Sequence, residues 1–155
     1  MTTTVQQVRE FVRRAHAGQT DKLGRDYIRD HLEPVAAELA AHGADAEMAG
    51  LLHDVLEDTA VTADRLRGLG VPEQVVRAVE AVTRRPGEDY SESIARAAAD
   101  PLGRLVKLAD NTVNLRSNAA LAEVDPDAAR RLRIKYQAAR EQLLQAGPDQ
   151  VPGRD

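Results

Sequence analysis

The segment LLHDVLEDT, residues 51–59, places four titratable side chains among apolar ones. On a helix, His53 and Glu57 lie four residues apart on one face, and Asp54 and Asp58 lie on another face about 100° away. Burying these groups next to leucines would be unfavourable without a compensating partner. A divalent cation would neutralise the carboxylates and accept an imidazole nitrogen, so the segment predicts part of a metal site.

One histidine and one aspartate rarely complete a metal site, so other helices must supply further ligands. The best candidates are His31, early in an upstream helical segment, and Asp110, which directly follows the sequence LVKLA. Two imidazoles and two carboxylates suit Mn²⁺, Fe²⁺, Co²⁺ or Zn²⁺, and contain too much nitrogen for a dedicated Ca²⁺ or Mg²⁺ site. The residue types alone do not choose among these metals.

The composition predicts that helices position these ligands. The chain has 155 residues, of which 43% are hydrophobic and only 3% aromatic, with no tryptophan and one phenylalanine. A core of Leu, Val, Ile and Ala favours packed helices over sheets, which prefer β-branched and aromatic residues. We expect one all-α domain over residues 1–147 and a disordered tail over 148–155, which has no apolar face to bury.

Helical periodicity recurs between breaks that contain glycine, proline or polar residues. We predict a bundle of about seven or eight helices, in the segments 3–18, 27–43, 44–59, 62–70, 71–87, 88–100, 101–118 and 125–147. The third helix is expected to continue through the His-Asp pair. In the second helix, Pro34 must either lie in the first turn or bend the helix.

Charge and cysteine content exclude several classes of protein. The net charge of −4 arises from 25 acidic and 21 basic residues that are interspersed, which is not typical of a surface for nucleic acid or anionic lipid. No cysteine is present, so disulfides and thiolate sites are excluded. No apolar run approaches the about 20 residues of a membrane span. We expect a cytoplasmic protein that binds neither a nucleic-acid polymer nor a membrane, and homo-oligomerisation stays open.

Three motifs, in order, resemble one protein family. They are HAGQTDKLGRDYIRDHLEPVA, LLHDVLEDT and DPLGRLVKLADNTVNL, and the resemblance spans roughly residues 11–118. They are similar to motifs of the HD-domain metal-dependent phosphohydrolases, and most of all to the hydrolase domain of RelA/SpoT-type alarmone enzymes and their small single-domain relatives. The resemblance implies an all-helical, HD-type bundle.

The resemblance also implies a role for each candidate residue. One divalent metal, Mn²⁺ in the alarmone hydrolases, would be held by His31, His53, Asp54 and Asp110. The attacking water would be handled by Glu57 and Asp58. Lys22 would meet a substrate phosphate, and Asn114 would face the sugar or phosphate beside the metal. The implied reaction is hydrolysis of a phosphate ester or pyrophosphate of a nucleotide-like substrate by a metal-activated water.

The chain departs from the family pattern at three places, one of which is Val113, where an aromatic residue or a histidine is common. Alarmone hydrolases usually carry an arginine just before the loop lysine, where it can stack on guanine, and this chain has Asp21 there. An aspartate cannot stack and would repel a polyphosphate, so we expect a general nucleotide phosphohydrolase first. The family's His-Pro is also absent, because His31 comes one residue later than usual and Pro34 follows three residues after it.

Two alternative functions stay open. One is a (p)ppGpp 3′-pyrophosphohydrolase that tolerates Asp21. The other is a non-catalytic, metal-dependent scaffold that binds a phosphorylated ligand, since such binding needs the same cation. The presence of both Glu57 and Asp58 favours catalysis, because a sensor needs only the metal ligands. His16, at the end of a helix, is interpreted as either a structural residue or a support for the site.

Overall fold

The first helix begins at a capping box and ends near a glycine turn. In the computed structural model, which describes residues 2–147, Thr4 and Gln7 exchange side-chain-to-backbone hydrogen bonds, and helix α1 spans Val5–Ala15. Gly18 has a φ of +81°, a left-handed conformation that favours glycine. The chain therefore turns away from α1 just before the polar segment that leads to the candidate site.

The described residues form helices throughout, and the predicted all-α class is confirmed. After α1 come α2 (Glu33–Leu39), α3 (Ala44–Leu52), α4 (Val55–Asp58), α5 (Ala63–Gly68), α6 (Glu73–Val82), α7 (Tyr90–Ala98), α8 (Pro101–Val124) and α9 (Pro126–Gln145). Within residues 2–147 there is no strand, and the one β-type pairing is an isolated bridge between Thr20 and Asp26. None of these helices combines the length and the apolar character needed to cross a membrane. The tail predicted over 148–155 lies outside the described residues.

The predicted third helix is interrupted at the His-Asp pair, so the continuous helix over 44–59 is wrong. Helix α3 ends before His53, and Asp54 has a φ of −105° and a ψ of 0° where α4 begins. In a regular helix, the carbonyl of Gly50 would accept from the Asp54 N–H. Instead, this carbonyl lies 2.6 Å from His53 Nδ1, and this side-chain contact competes with the helical ladder.

A π-helical turn over Ile28–Leu32 precedes α2, and Pro34 lies in the first turn of α2, one of the two predicted positions. The N–H of Glu33 donates to the carbonyl of Ile28, five residues earlier. A π turn holds one more residue than an α turn, and such turns are frequent at functional sites. His31 lies within this wider turn, directly before α2.

The main core lies between α1, α2, α3, α6 and α8. Its fully buried side chains are aliphatic and include Val12, Leu32, Val35, Leu51, Leu52, Val75, Val76 and Val79. Gly50 permits a close approach of α3 to α2, because a Cβ atom there would lie 2.7 Å from Leu39 Cδ1 and 3.2 Å from Ala36 Cα. This contact sets the distance between the two helical segments that carry the two candidate histidine ligands.

Candidate metal centre and active site

Four side chains that are distant along the chain meet at one point. His31 Nε2 lies 3.1 Å from Asp110 Oδ1 and 3.6 Å from Asp54 Oδ2. His53 Nε2 lies 3.0 Å from Asp54 Oδ2 and 3.5 Å from Asp110 Oδ1. The two Nε2 atoms are 3.2 Å apart. Ligand atoms of His31, His53 and Asp54 all lie within 4.8 Å of one another, so one cation could contact all three, and Asp110 Oδ1 contacts both histidines beside them.

Neighbouring groups fix the orientation of these side chains. His53 Nδ1 lies 2.6 Å from the carbonyl of Gly50, so Nδ1 carries the proton and Nε2 presents its lone pair to the centre. The Tyr27 hydroxyl donates to Asp54 Oδ2. The Tyr27 ring also stacks on His31, with ring centroids 4.9 Å apart. Both histidine rings and one carboxylate are therefore held in place by groups around the centre.

The electrostatics of the centre favour positive charge between the ligands. Asp110 is only 6% exposed, and burial alone would raise its pKa, but Lys107 at 3.1 Å and the two histidines hold that pKa well below its usual range. Burial also opposes ionisation of Asp54, yet His53 lowers the pKa of Asp54 to about 2. Burial disfavours a charged His53 ring, but the two carboxylates raise the pKa of His53 well above its usual value. Two ionised carboxylates, one buried and one partly buried, thus attract a proton or a cation to the same place.

A cavity of about 370 Å³ opens beside the centre. Three of the predicted ligands border it, together with three of the other predicted site residues, namely Asp58, Lys22 and Asn114. Lys22 Nζ lies 3.4 Å from the Tyr136 hydroxyl, and Asn114 Nδ2 donates to Asp110 Oδ1 at 3.2 Å. The cavity therefore offers a cationic group and an amide within one space that three of the predicted metal ligands also border.

Glu57 is not among the residues that border this cavity. Its Oε1 accepts a hydrogen bond from the backbone N–H of Arg84 at 2.6 Å. The Glu57 side chain faces a shallow depression that it forms with residues 84–89. Sequence spacing placed Glu57 on the same helical face as His53, but the break between α3 and α4 removes the basis of that argument. The action of Glu57 on the attacking water stays a prediction.

The Asp21 carboxylate is hydrogen-bonded and ion-paired, whereas the sequence alone predicts a free charge. Its Oδ1 accepts from the N–H groups of Leu23 and Arg25 at 2.8 and 2.9 Å, and Arg25 Nε lies 2.8 Å from its Oδ2. Although burial opposes this, these contacts lower the pKa of Asp21. The expected repulsion of a polyphosphate assumed a free carboxylate, whereas Asp21 is paired within its own loop.

Sequence reasoning missed two residues that contact the site. Tyr27 supports Asp54 and His31, and its place four residues before His31 could have indicated it. Gln19 donates from Nε2 to Asp58 Oδ2 at 2.9 Å, but it lies in a polar loop whose path the helical periodicity does not predict. Both residues belong to the HAGQTDKLGRDYIRDH motif, so the motif could have identified them where periodicity could not.

Comparisons with known proteins agree with the motifs. No family model matches the chain. The chain is 36% identical over 123 residues to the guanosine-3′,5′-bis(diphosphate) 3′-pyrophosphohydrolase of Aquifex aeolicus, and 36% identical over 133 residues to the bifunctional (p)ppGpp synthase/hydrolase SpoT of Escherichia coli K12. These alignments include 73% and 77% of this chain but only 17% and 18% of those proteins. The chain thus spans less than a fifth of the length of these curated relatives.

A solved structure shares the fold. It is described as a metazoan orthologue of SpoT that hydrolyzes ppGpp, and it matches with a TM-score of 0.72 over 94% of this chain and 86% of that chain, at 22% identity. Together with the order of the three motifs, these similarities confirm the resemblance predicted from the sequence. The chain belongs to the HD-type domains related to the hydrolase domain of RelA/SpoT-type proteins.

Proposed function

We propose that the chain is a metal-dependent 3′-pyrophosphohydrolase of guanosine 3′,5′-bis(diphosphate)-type nucleotides. The observation that carries this proposal is the meeting of two imidazoles and two carboxylates at the wall of a cavity that also contains a lysine and a further aspartate. The names of the curated relatives support this more specific reaction over the general nucleotide phosphohydrolase expected first. The pairing of Asp21 with Arg25 also weakens the main argument against it.

The metal is proposed to be one divalent cation. Its ligands would be His31, His53, Asp54 and Asp110. Two nitrogen and two oxygen donors fit Mn²⁺, our first choice, and also Fe²⁺, Co²⁺ or Zn²⁺. When bound, such a cation lowers the pKa of a coordinated water and stabilises charge on phosphoryl oxygens.

Asp58 is proposed to orient the attacking water and to accept its proton. It borders the cavity, and its Oδ2 is engaged by Gln19, so its Oδ1 is the oxygen available for this purpose. Glu57 is proposed as a second carboxylate for the same water. Because Glu57 accepts a hydrogen bond from the Arg84 N–H, direct action on the water requires that this contact be exchanged.

The substrate is proposed to lie across the cavity. Lys22 would meet a phosphate, since its ammonium group lies at the cavity wall beside the Tyr136 hydroxyl. Asn114 donates from its amide nitrogen to Asp110, which leaves its amide oxygen to accept from a sugar hydroxyl. These contacts support a phosphorylated nucleotide as the substrate.

Release of pyrophosphate by protein purified without a chelating tag tests the proposal. We expect Mn²⁺-dependent release from guanosine 3′,5′-bis(diphosphate), with much slower turnover of GTP and of a simple phosphomonoester. Asp54→Asn should abolish turnover, and Asp64→Asn, at a side chain 94% exposed, is the matched control that should leave it unchanged. Tight binding of Mn²⁺ and nucleotide without hydrolysis of any phosphate ester would favour the non-catalytic scaffold.

A further inference from the structure

His16 is a buried histidine that the proposed chemistry does not use. Its side chain is 1% exposed and packs near the Tyr27 ring, with ring centroids 5.9 Å apart. Its Nδ1 lies 2.7 Å from Gln19 Oε1. Within residues 2–147, its Nε2 is buried and has no hydrogen-bond partner. Buried polar atoms are normally satisfied, so a histidine with one engaged nitrogen and one orphan nitrogen needs an explanation.

Gln19 connects this histidine to the cavity. Its Nε2 lies 2.9 Å from Asp58 Oδ2. An ionised carboxylate only accepts hydrogen bonds, so the amide must present its nitrogen to Asp58 and its oxygen to His16. The amide oxygen also only accepts, so His16 Nδ1 must be the protonated nitrogen. The contacts therefore require a proton on Nδ1, and Nε2 is the nitrogen that lacks a partner.

The backbone holds this arrangement from both sides. His16 is the residue that follows α1, and Gly18 makes the left-handed turn after it. The N–H of Gln19 donates to the His16 carbonyl at 3.0 Å, and the carbonyl of Gln19 accepts from the Tyr27 N–H at 3.1 Å. These main-chain contacts hold the Gln19 backbone, and the His16 ring sets which end of the Gln19 amide faces the cavity.

We propose that His16 and Gln19 are positioning residues for Asp58. The His16 Nδ1–H fixes the Gln19 amide, the amide donates to Asp58 Oδ2, and Asp58 Oδ1 is thereby directed to the attacking water. We call this chain of contacts from His16 through Gln19 to Asp58 the relay. The inference rests on the proposed function, in which Asp58 handles that water. Without the His16 donor, the amide can rotate, its oxygen would repel the carboxylate, and Asp58 would lose its fixed orientation.

The tautomer of His16 tests the relay without any turnover. Nitrogen-15 NMR of the whole protein near neutral pH should show an imidazole signal with a proton on Nδ1 that disappears in His16→Asn. A neutral ring with its proton on Nε2 would overturn the proposal, because its bare Nδ1 could not donate to the Gln19 amide oxygen.

Kinetics of matched variants test the consequence. His16→Leu removes the donor and should lower kcat for the nucleotide by about 10-fold while KM changes little, as is typical when a residue that supports a functional group is lost. His16→Asn places an amide donor near the position of Nδ1 and should restore most of kcat. Val12→Ala, at a side chain 0% exposed on α1, controls for simple loss of stability, which is followed by thermal melting.

A double variant separates positioning from general damage. In the Asp58→Asn background, His16→Leu should cause no further loss of kcat, because its effect passes through Asp58; a full additional loss would overturn the relay. If wild type turns over nucleotide and Asp58→Asn does not, but His16→Leu retains the wild-type kcat, the relay is wrong and the proposed function stands. If wild type hydrolyses nothing, the proposed function is wrong and the tautomer alone decides the relay.

Discussion

The two halves of LLHDVLEDT occupy different environments. His53 is 3% exposed, and His53 and Asp54 contact residues of the π turn and of α8, whereas Glu57 and Asp58, one turn later, are exposed. The first half is fixed by contacts between several elements, and the second half by single hydrogen bonds from Arg84 and Gln19. The difference indicates that residues packed against the core form the candidate metal centre, while the proposed catalytic carboxylates lie at its exposed edge.

Removing a ligand should have the largest effect. Asp110→Asn takes away a buried carboxylate that contacts both histidines and Lys107, so Mn²⁺ affinity should fall by more than about 100-fold, beyond the loss typical of a supporting residue. Isothermal titration with Mn²⁺ measures the affinity, with Asp64→Asn as the exposed control. An unchanged affinity would remove Asp110 from the ligand set.

The acidic pair should separate catalysis from metal binding. Asp58→Asn should lower kcat by about 100-fold, the scale of a lost general base, and leave Mn²⁺ affinity within about twofold. Glu57→Gln should have a smaller effect, since its side-chain oxygen can still accept from the Arg84 N–H. Steady-state kinetics gives kcat for each variant. A fully active Glu57→Gln would remove Glu57 from the mechanism.

A group that supports the metal ligands should have an intermediate effect on metal binding. Tyr27→Phe removes the hydroxyl that donates to Asp54 and keeps the ring that stacks on His31, so Mn²⁺ affinity should fall by about 10-fold. The measurement is the same titration with Mn²⁺. If affinity does not change, the Tyr27 hydroxyl does not orient Asp54 for the metal.

The packing beneath the centre should affect stability more than chemistry. Gly50→Ala places a methyl group 2.7 Å from Leu39 Cδ1, and such overpacking destabilises by about 1–3 kcal/mol. Urea denaturation gives the change in the free energy of unfolding. Stability equal to wild type would show that α2 and α3 can separate, and the close approach would then not be needed to set the distance between the histidines.

Much of the fold follows from periodicity and caps, because these are local properties. Helices α1, α6 and α9 all lie within the segments that the sequence predicts, which are 3–18, 71–87 and 125–147. The break at His53 was not predictable in this way. It depends on a contact between the His53 ring and the Gly50 carbonyl, which competes with the helical pattern instead of following it.

In the candidate site too, some residues could be predicted from the sequence and others depend on contacts that the sequence does not show. His31, His53, Asp54 and Asp110 could be chosen from residue type and motif, and the structure brings them together. The loop over 19–26 could not be interpreted from periodicity, because its geometry depends on side-chain contacts to its own backbone. Asp21 therefore looked like a repulsive charge in the sequence, although it is paired with Arg25 in the fold.

Anomalous diffraction at the manganese edge, from crystals of protein purified without a chelating tag and loaded with Mn²⁺, tests the central claim most directly. We expect one strong peak among His31 Nε2, His53 Nε2, Asp54 and Asp110, with these side chains placed as in the present structure. No peak at this position, or a peak elsewhere with these four side chains directed apart, would contradict the claim that they form one metal centre.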